Sequence, residues 1–368
     1  MSPLVVAKVG SSTLMDGRGE LDVDFVRALC AQICELRREG VRVVLVSSGA
    51  AAVGRSLLGF SERPSDIPTL QACAAAGQTT LIERYAEVLA ADGVACAQVL
   101  LTRGDVVDRT GYLNARNTFE RLLDLGVVPI VNENDTVSVR EFSFGDNDML
   151  GAIVASLVDA DLYVILSDIA GLYTANPDKD PTARLLERVS RVDAEVMAMA
   201  GGAGSSFGTG GMATKVRAAR AMLAAGIPMV ICRGRDGEAL LDAYRGRGRH
   251  TRFESDAPVP HEQARKLWIG LAGISRGSLT VDAGAARALE RDGASLLPVG
   301  VTDVEGDFAA GDTVSVLDHE GRLIARGISR YSSEELWKAR GLRLDVIARF
   351  WPDRADCPAI HRDELLVF

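Results

Sequence analysis

The chain has 368 residues, enough for two domains, and its 41 Lys+Arg against 50 Asp+Glu give a formal net charge of -9. This acidic balance argues against a protein that coats nucleic acid. No stretch reaches the roughly 18 apolar residues of a membrane-spanning helix, and the N-terminus lacks a signal-peptide pattern. Five of the six cysteines lie in apolar helix or strand patterns, as expected of buried thiols in a reducing compartment. The sequence therefore predicts a cytoplasmic protein without a membrane segment.

Apolar strands alternate with amphipathic helices through the first two thirds of the chain. The strands are predicted at residues 4–9, 41–46, 94–100, 127–131, 162–168 and 227–232. The main helices are predicted at residues 22–39, 67–91, 110–125 and from 212 to a stop at Gly226. Because strands joined through helices run parallel, the pattern predicts an α/β fold with a mostly parallel sheet sandwiched by helices.

Small or polar residues follow several of these strands at the carboxyl ends, where ligands of open α/β sheets bind. The small-residue turns are Gly10–Ser12 and Ser47–Ala50, whereas Asn132–Asp135 and Gly145–Asp148 are polar clusters at a strand end and a helix start. Turns and helix caps are the ordinary roles of Asn and Asp. Two such clusters at one sheet edge nevertheless favour a polar ligand site. Lys8 interrupts the first apolar strand and requires an opposite charge if it is buried.

The glycine-rich segment from Gly201 to Lys215, GGAGSSFGTGGMATK, leads into a predicted helix. The free N–H groups and positive dipole end of a helix N-terminus suit phosphate. Lys215 is one of only five lysines in the chain, and a compact ammonium can follow a moving phosphoryl group. A mobile surface loop that ends in a solvated lysine is the alternative interpretation. The segment is not a Walker A loop, because Lys215 follows Thr214 instead of preceding Ser or Thr.

All four histidines lie beyond residue 249, and no serine or cysteine has a base beside it in the sequence, so nucleophilic catalysis lacks its usual groups. Phosphoryl transfer does not need them, because positioning and charge neutralisation by cations and Mg²⁺ supply most of the catalysis. A carboxylate acceptor is already ionised at pH 7 and requires no general base. The residues at this sheet edge therefore predict a kinase that acts on an acidic acceptor.

The last hundred residues differ in pattern from the rest of the chain. Short alternating runs separated by Gly and Asp turns predict a small β-rich domain over residues 265–368. The Gly/Arg-rich run up to residue 252 is typical of a solvated linker. We therefore predict a kinase domain at residues 1–250, a linker at 251–264 and a second domain at 265–368.

These motifs resemble those of the glutamate 5-kinases, a group within the amino acid kinase superfamily that carries a C-terminal PUA domain. The matching stretches are AKVGSS (7–12), SSGA (47–50), LLTRGD (100–105), YLNARNT (112–118), PIVNEND (129–135), GDND (145–148), SDIAGLYTANP (167–177) and GTGGMATK (208–215), with GISRYSS (327–333) in the PUA-like part. The resemblance covers essentially the whole chain, and its most specific elements are GTGGMATK, NEND and GDND. It implies the amino acid kinase fold followed by a small β-rich PUA-like domain.

The resemblance implies ATP-dependent phosphorylation of the side-chain carboxylate of L-glutamate, the first step towards proline. By motif, Lys8 and Lys215 would stabilise charge on the transferred phosphoryl group, and Asp148 would hold the two lysines in place. The implied glutamate-binding residues are Ser48, Asp135 and Asn147. The implied nucleotide-binding residues are Lys8, Ser167, Asp168, Thr209, Gly210, Gly211, Met212, Ala213, Thr214 and Lys215. Mg²⁺ would bridge the ATP phosphates without a dedicated protein cage.

The resemblance also implies feedback inhibition by proline, a homo-oligomer (dimer or tetramer) and contact with the next enzyme of the pathway. A kinase for acetylglutamate or aspartate would share the fold and the lysines, although NEND and the PUA-like tail argue against it. An RNA-binding or RNA-modifying protein would use the PUA-like domain, but the net negative charge weighs against RNA binding. A nicotinamide-dependent dehydrogenase is the weakest alternative, because no G-x-G-x-x-G follows the first strand.

Overall fold

A computed structural model describes residues 2–107, 109–138, 147–177, 179–201, 211–256 and 275–367. The chain separates into two compact units, Met1–Pro260 and His261–Phe368. Each unit has its own sheet and its own hydrophobic core. Among the helices in the described ranges, none is long and apolar enough to cross a membrane.

The first unit alternates strands and helices in the predicted manner. Its strands are β1 (Leu4–Val9), β2 (Arg42–Ser47), β3 (Cys96–Leu101), β4 (Val128–Glu133), β5 (Leu162–Ser167), β6 (Arg188–Val189), β7 (Met229–Arg233) and β8 (His250–Phe253). Its helices are α1 (Ser11–Leu14), α2 (Val23–Arg38), α3 (Ala50–Leu57), α4 (Ile67–Ala91), α5 (Arg103–Val107), α6 (Arg109–Asp124), α7 (Asn147–Leu157), α8 (Ala194–Met199), α9 (Met212–Ala225) and α10 (Ala239–Tyr244).

These strands form one sheet in the order β3-β4-β2-β1-β5-β7-β8-β6. The pairs from β3 across to β7 are parallel, whereas β8 runs antiparallel to β7. Every residue of β1 is buried, as is typical of a central parallel strand that is covered on both faces. The predicted α/β fold with a mostly parallel sheet is confirmed.

Strand β8 differs from the sequence prediction, which placed the linker from residue 251 onward. His250–Phe253 pairs with β7 and therefore belongs to the first sheet. Thr251 and Phe253 are buried, whereas His250 and Arg252 are partly exposed, which is the alternation of a strand with one covered face. The sheet thus continues past residue 250, and the surrounding Gly/Arg-rich composition concealed this short strand.

The second unit is a small mixed sheet with three α-helices in its described part. Its strands are β9 (Gly277–Val281), β10 (Val301–Gly306), β11 (Thr313–Leu317), β12 (Leu323–Ile328) and β13 (Leu365–Val367), and its α-helices are α11 (Ala283–Asp292), α12 (Ser333–Ala339) and α13 (Leu344–Phe350). The strand order is β10-β9-β11-β12-β13, with β9 and β11 parallel and the other pairs antiparallel. The predicted β-rich second domain is confirmed.

Two glycines bring α3 and α4 into backbone contact. A Cβ added to Gly54 would lie 1.7 Å from the carbonyl oxygen of Cys73, and one added to Gly77 would lie 2.0 Å from the carbonyl oxygen of Ala50. Real Cβ atoms do not approach other atoms so closely, so neither position accepts a side chain without a backbone shift. The contact fixes the start of α3, which follows β2 at the carboxyl edge of the sheet.

We predict that Gly54→Ala lowers the free energy of unfolding by about 2 kcal/mol, because α3 and α4 must move apart to admit the methyl group. Urea denaturation of the full chain measures this loss. Gly17→Ala is the matched control, since its added Cβ meets no described atom within 4 Å; we expect a change within about 0.5 kcal/mol. Equal stability of the two variants would contradict the tight crossing.

Candidate active site

Two lysines and one carboxylate meet at the carboxyl edge of the first sheet. Nζ of Lys8 in β1 lies 2.5 Å from Oδ1 of Asp148, and Nζ of Lys215 in α9 lies 3.0 Å from Oδ2 of the same residue. The Asp148 side chain is fully buried, and the two lysine side chains are 4% and 8% exposed. Two ammonium groups that converge on one carboxylate place positive charge at this sheet edge, where an anionic group of a ligand would be favoured.

The carboxylate of Asp148 is held from several elements. Oγ1 of Thr214 in α9 donates to Asp148 Oδ2 over 3.1 Å, and the Tyr163 hydroxyl in β5 donates to the Asp148 backbone carbonyl over 2.8 Å. Gly151 leaves room for that hydroxyl, because a Cβ there would lie 2.2 Å from it. Strand β5 and helices α7 and α9 therefore fix the position at which both lysines converge.

An amide network joins the ends of β2 and β4 to the start of α7. Nδ2 of Asn147 lies 3.0 Å from the Ser47 carbonyl oxygen, 2.9 Å from Ser48 Oγ and 2.9 Å from Asn132 Oδ1. Nδ2 of Asn132 donates in turn to Gln78 Oε1 in α4 over 2.8 Å. Ser48 and Asn147 are thus brought together as the resemblance implies, and Gln78 supports them from a helix that the sequence analysis left out of the site.

Two carboxylates lie at the end of β4 in the same region, since Glu133 is its last residue and Asp135 lies two residues beyond. Burial, together with the neighbouring charge of Glu133, raises the pKa of Asp135 to about 6. Glu133 accepts a hydrogen bond of 2.7 Å from Ser138 Oγ, and the Ser138 carbonyl accepts one of 3.0 Å from Gln71 Nε2. The concentration of negative charge at this end of β4 favours a cationic group of a ligand.

The residues expected to bind nucleotide lie at the end of β5 and the start of α9. Ser167 is buried and donates from Oγ to Oδ1 of the exposed Asp168 over 3.0 Å. Gly211 precedes α9, and within the described residues no side chain caps this helix start. A helix start of this kind, with its positive dipole end, suits an anion. Thr209 and Gly210, like most of the glycine-rich segment and the Gly145–Asp146 pair, lie outside the described residues.

A cleft of about 650 Å³ brings both groups of residues together. The predicted site residues in its lining are Lys8, Ser48, Asp135, Asn147, Ser167, Asp168 and Lys215. This lining does not include Asp148, Thr214, or the start of α9 with its preceding residue (Gly211, Met212 and Ala213). Asp148 nevertheless contacts Lys8 and Lys215, and Thr214 donates to Asp148; we call Lys8, Asp148 and Lys215 the lysine cluster. The lining also includes Arg63, which lies between α3 and α4, and Arg55 and Gln71, which helical periodicity alone does not distinguish from solvent-facing residues.

The carboxylates of the described part of the cleft are spread apart and do not form a cluster of metal ligands. Across the part of the chain that the structure describes, no group of three or more His, Cys, Asp or Glu side chains could hold a metal ion. Asp168 is the exposed carboxylate at the end of β5, and Asp148 is occupied by the two lysines. An ion that keeps phosphate and water ligands and at most one protein carboxylate fits these residues.

We predict that Asp135→Asn stabilises the fold at pH 8. The pKa of Asp135 in the folded protein, about 6, lies above its ordinary value of 3.8. The folded state therefore favours the protonated carboxyl group, and the free energy of unfolding falls as the pH rises from about 4 through about 6 and this group ionises. Asparagine resembles the protonated form at every pH, and we expect a gain of about 1–3 kcal/mol at pH 8 that vanishes below about pH 4. Denaturant unfolding at several pH values measures the gain.

Asp66→Asn is a control for which we expect the opposite change in the free energy of unfolding. Hydrogen bonds from Thr69 lower the pKa of Asp66 at the start of α4, so loss of its charge should reduce stability at pH 8. A destabilised Asp135→Asn variant at pH 8 would contradict the buried-carboxylate interpretation.

The chain is similar to known proteins in both of its units. Residues 3–233 match the amino acid kinase family, and residues 277–350 match the PUA domain. A glutamate 5-kinase from Syntrophotalea carbinolica is 45% identical over 364 residues, which are 99% of this chain and 96% of the relative. A glutamate 5-kinase from Polaromonas sp. strain JS666 is 49% identical over 332 residues, which are 90% of this chain and 87% of the relative.

A solved structure of Giardia carbamate kinase shares the fold, with a TM-score of 0.51 and 20% identity over 69% of this chain and 99% of that one. The sequence resemblance to the glutamate 5-kinases is confirmed by relatives that match this chain along most of its length. From the lysine cluster at the sheet edge and these similarities together, the chain belongs to the amino acid kinase family and carries a C-terminal PUA domain.

Proposed function

We propose that the protein transfers the γ-phosphoryl group of Mg-ATP to the side-chain carboxylate of L-glutamate, which gives L-glutamyl 5-phosphate and begins proline biosynthesis. The observation that carries this proposal is the buried cluster in which the ammonium groups of Lys8 and Lys215 both contact the carboxylate of Asp148. The two lysines line the same cleft as Asp135 and Asn147, so a phosphoryl donor and an amino-acid acceptor can meet beside them.

The cluster suits the charge changes of phosphoryl transfer. As an oxygen of the acceptor carboxylate forms its bond to phosphorus and the bond to the bridging oxygen of ADP breaks, negative charge is spread over the transferred group and the leaving oxygen. Lys8 and Lys215 would stabilise this charge from fixed positions, because Asp148 holds both ammonium groups before the substrates arrive. The acceptor carboxylate is ionised at neutral pH, so no general base is required.

We assign the two ends of the cleft to the two substrates. Ser167, Asp168 and the start of α9 would bind the nucleotide, together with the predicted Thr209 and Gly210. Ser48, Asp135 and Asn147 would bind glutamate, and a ligand ammonium would offset the repulsion that raises the pKa of Asp135. Mg²⁺ would arrive on the ATP phosphates, where it neutralises part of their charge, and Asp168 is the exposed carboxylate that could join its ligands.

We further infer from the resemblance that the protein works in the cytoplasm as a homo-oligomer, a dimer or a tetramer, and that proline inhibits it at the glutamate site. Acyl phosphates hydrolyse readily, which gives a chemical reason for contact with the next enzyme of the pathway. These inferences depend on the likeness to glutamate 5-kinases and not on contacts within the described residues.

We expect the purified protein to release ADP from ATP and Mg²⁺ in the presence of L-glutamate, and to form an acyl phosphate that hydroxylamine traps as the hydroxamate. Acetylglutamate and aspartate should give rates at least about tenfold lower, because small changes in a polar pocket leave buried groups unpaired. A faster rate with either of these compounds, or no turnover with glutamate, would refute the proposed substrate.

We predict that Lys8→Arg and Lys215→Arg each lower kcat by about 100-fold or more, because a planar guanidinium cannot take the position of a compact ammonium beside the phosphoryl group. Circular dichroism should show an unchanged fold. Lys338→Arg is the matched control: Lys338 is exposed and pairs with Glu334 in α12, so its variant should retain wild-type rates. Near-normal turnover in both active-site variants would overturn the role of the cluster.

A further inference from the structure

Arg55 is a basic residue of the cleft that lies outside the lysine cluster. It directly follows Gly54, where the backbone contact with α4 fixes the path of α3, and it lines the same cleft as Lys8 and Asp135. Its Nε is buried, and across the ranges that the structure describes this atom has no hydrogen-bond partner. A buried N–H of a charged group without a partner is unfavourable, so an anion that draws the Arg55 guanidinium into hydrogen bonds would stabilise this side chain.

The surroundings of Arg55 hold the guanidinium close to a backbone turn. A Cβ added to Gly19 would lie 3.0 Å from Nη2 of Arg55, and Gly19 has a φ of +79°, a conformation that favours glycine. The turn can therefore approach the guanidinium closely without a side chain in between. The planar fork of an arginine matches a carboxylate better than any other side chain does.

The other cations of the cleft are differently placed. Lys8 and Lys215 both contact Asp148, and Arg63 is exposed to solvent. Arg55 is partly buried and forms no ion pair with the carboxylates of the described ranges. An anionic group of a ligand that does not occupy the lysine cluster would therefore find its partner at Arg55.

The cleft also offers the opposite charge. Glu133 and Asp135 line it at the end of β4, and neither pairs with Arg55. Arg55 and the two carboxylates at the end of β4 offer the charges opposite to those of the α-carboxylate and the ammonium group of an α-amino acid. The side-chain carboxylate of the same molecule would then be left for the lysine cluster.

We propose that Arg55 binds the α-carboxylate of the amino-acid acceptor, while the carboxylates at the end of β4 bind its ammonium group. This inference rests on the proposed function and adds the residue that makes a free α-carboxylate a requirement for binding. It predicts which acceptor analogues bind more weakly when Arg55 is replaced, since each analogue lacks one of the groups that the cleft would recognise.

The test compares the dissociation constants of glutamate, glutarate and 4-aminobutyrate, measured by ligand-observed NMR without nucleotide. Glutarate lacks the ammonium group and 4-aminobutyrate lacks the α-carboxylate. Loss of a charged hydrogen-bonding partner in Arg55→Gln should weaken glutamate and glutarate roughly 10- to 100-fold. The affinity for 4-aminobutyrate and for ATP should stay within about twofold, because neither ligand places a carboxylate at Arg55.

Arg63→Gln is the matched control, because it removes an exposed arginine from the same cleft; all four affinities should be retained. Arg55→Lys keeps the charge and should weaken glutamate by less than Arg55→Gln, and it decides the question if the glutamine variant fails to fold. Equal weakening of glutamate and 4-aminobutyrate, or unchanged glutamate affinity, would overturn the assignment. A wild-type protein that binds glutamate without phosphorylating it would refute the proposed function and leave the role of Arg55 standing.

Discussion

The contact of two ammonium groups with the single carboxylate of Asp148 is the constraint on which the rest of the structure depends. Three charges removed from water are unfavourable unless their geometry is well supported, and here β1, β5, α7 and α9 all contribute to that support. This requirement explains why a lysine interrupts the fully buried β1, and why α9 must start within reach of β1. The same arrangement holds two ammonium groups side by side, which suits a centre that binds phosphate.

The side of the cleft proposed to bind the acceptor is held by neutral hydrogen bonds in place of ion pairs. Asn147 and Asn132 form a network of neutral hydrogen bonds that ties β2, β4, α4 and α7 together and sets the shape of the cleft. Asp135, in contrast, is held where its own charge is disfavoured by burial and by Glu133. The ionised carboxylate of Asp135 is destabilised in the free protein, so a ligand cation beside it would lower its free energy more than that of a solvated carboxylate.

Much of this architecture could be predicted from the sequence, and the exceptions have identifiable causes. Lys8 stood out because a charge in an apolar strand needs a partner, and Lys215 because lysines are rare in this chain. Strand β8 was missed because its buried positions alternate with arginine and histidine in a basic run. Arg55 and Gln78 gave no signal, because a polar residue within a helical pattern is ordinarily solvent-facing and only the packing of α3 and α4 determines otherwise.

The crossing of α3 and α4 at Gly54 and Gly77 limits how the shape of the cleft can change. Because the two helices touch through their backbones, their separation is already at its minimum and cannot be tuned by exchanging one side chain for another. If the acceptor binds as proposed, its preference would depend on side chains carried by this fixed pair of helices and by the end of β4, such as Arg55 and Asp135. Shorter side chains at these positions would admit a larger acceptor, whereas longer ones would favour a smaller acceptor.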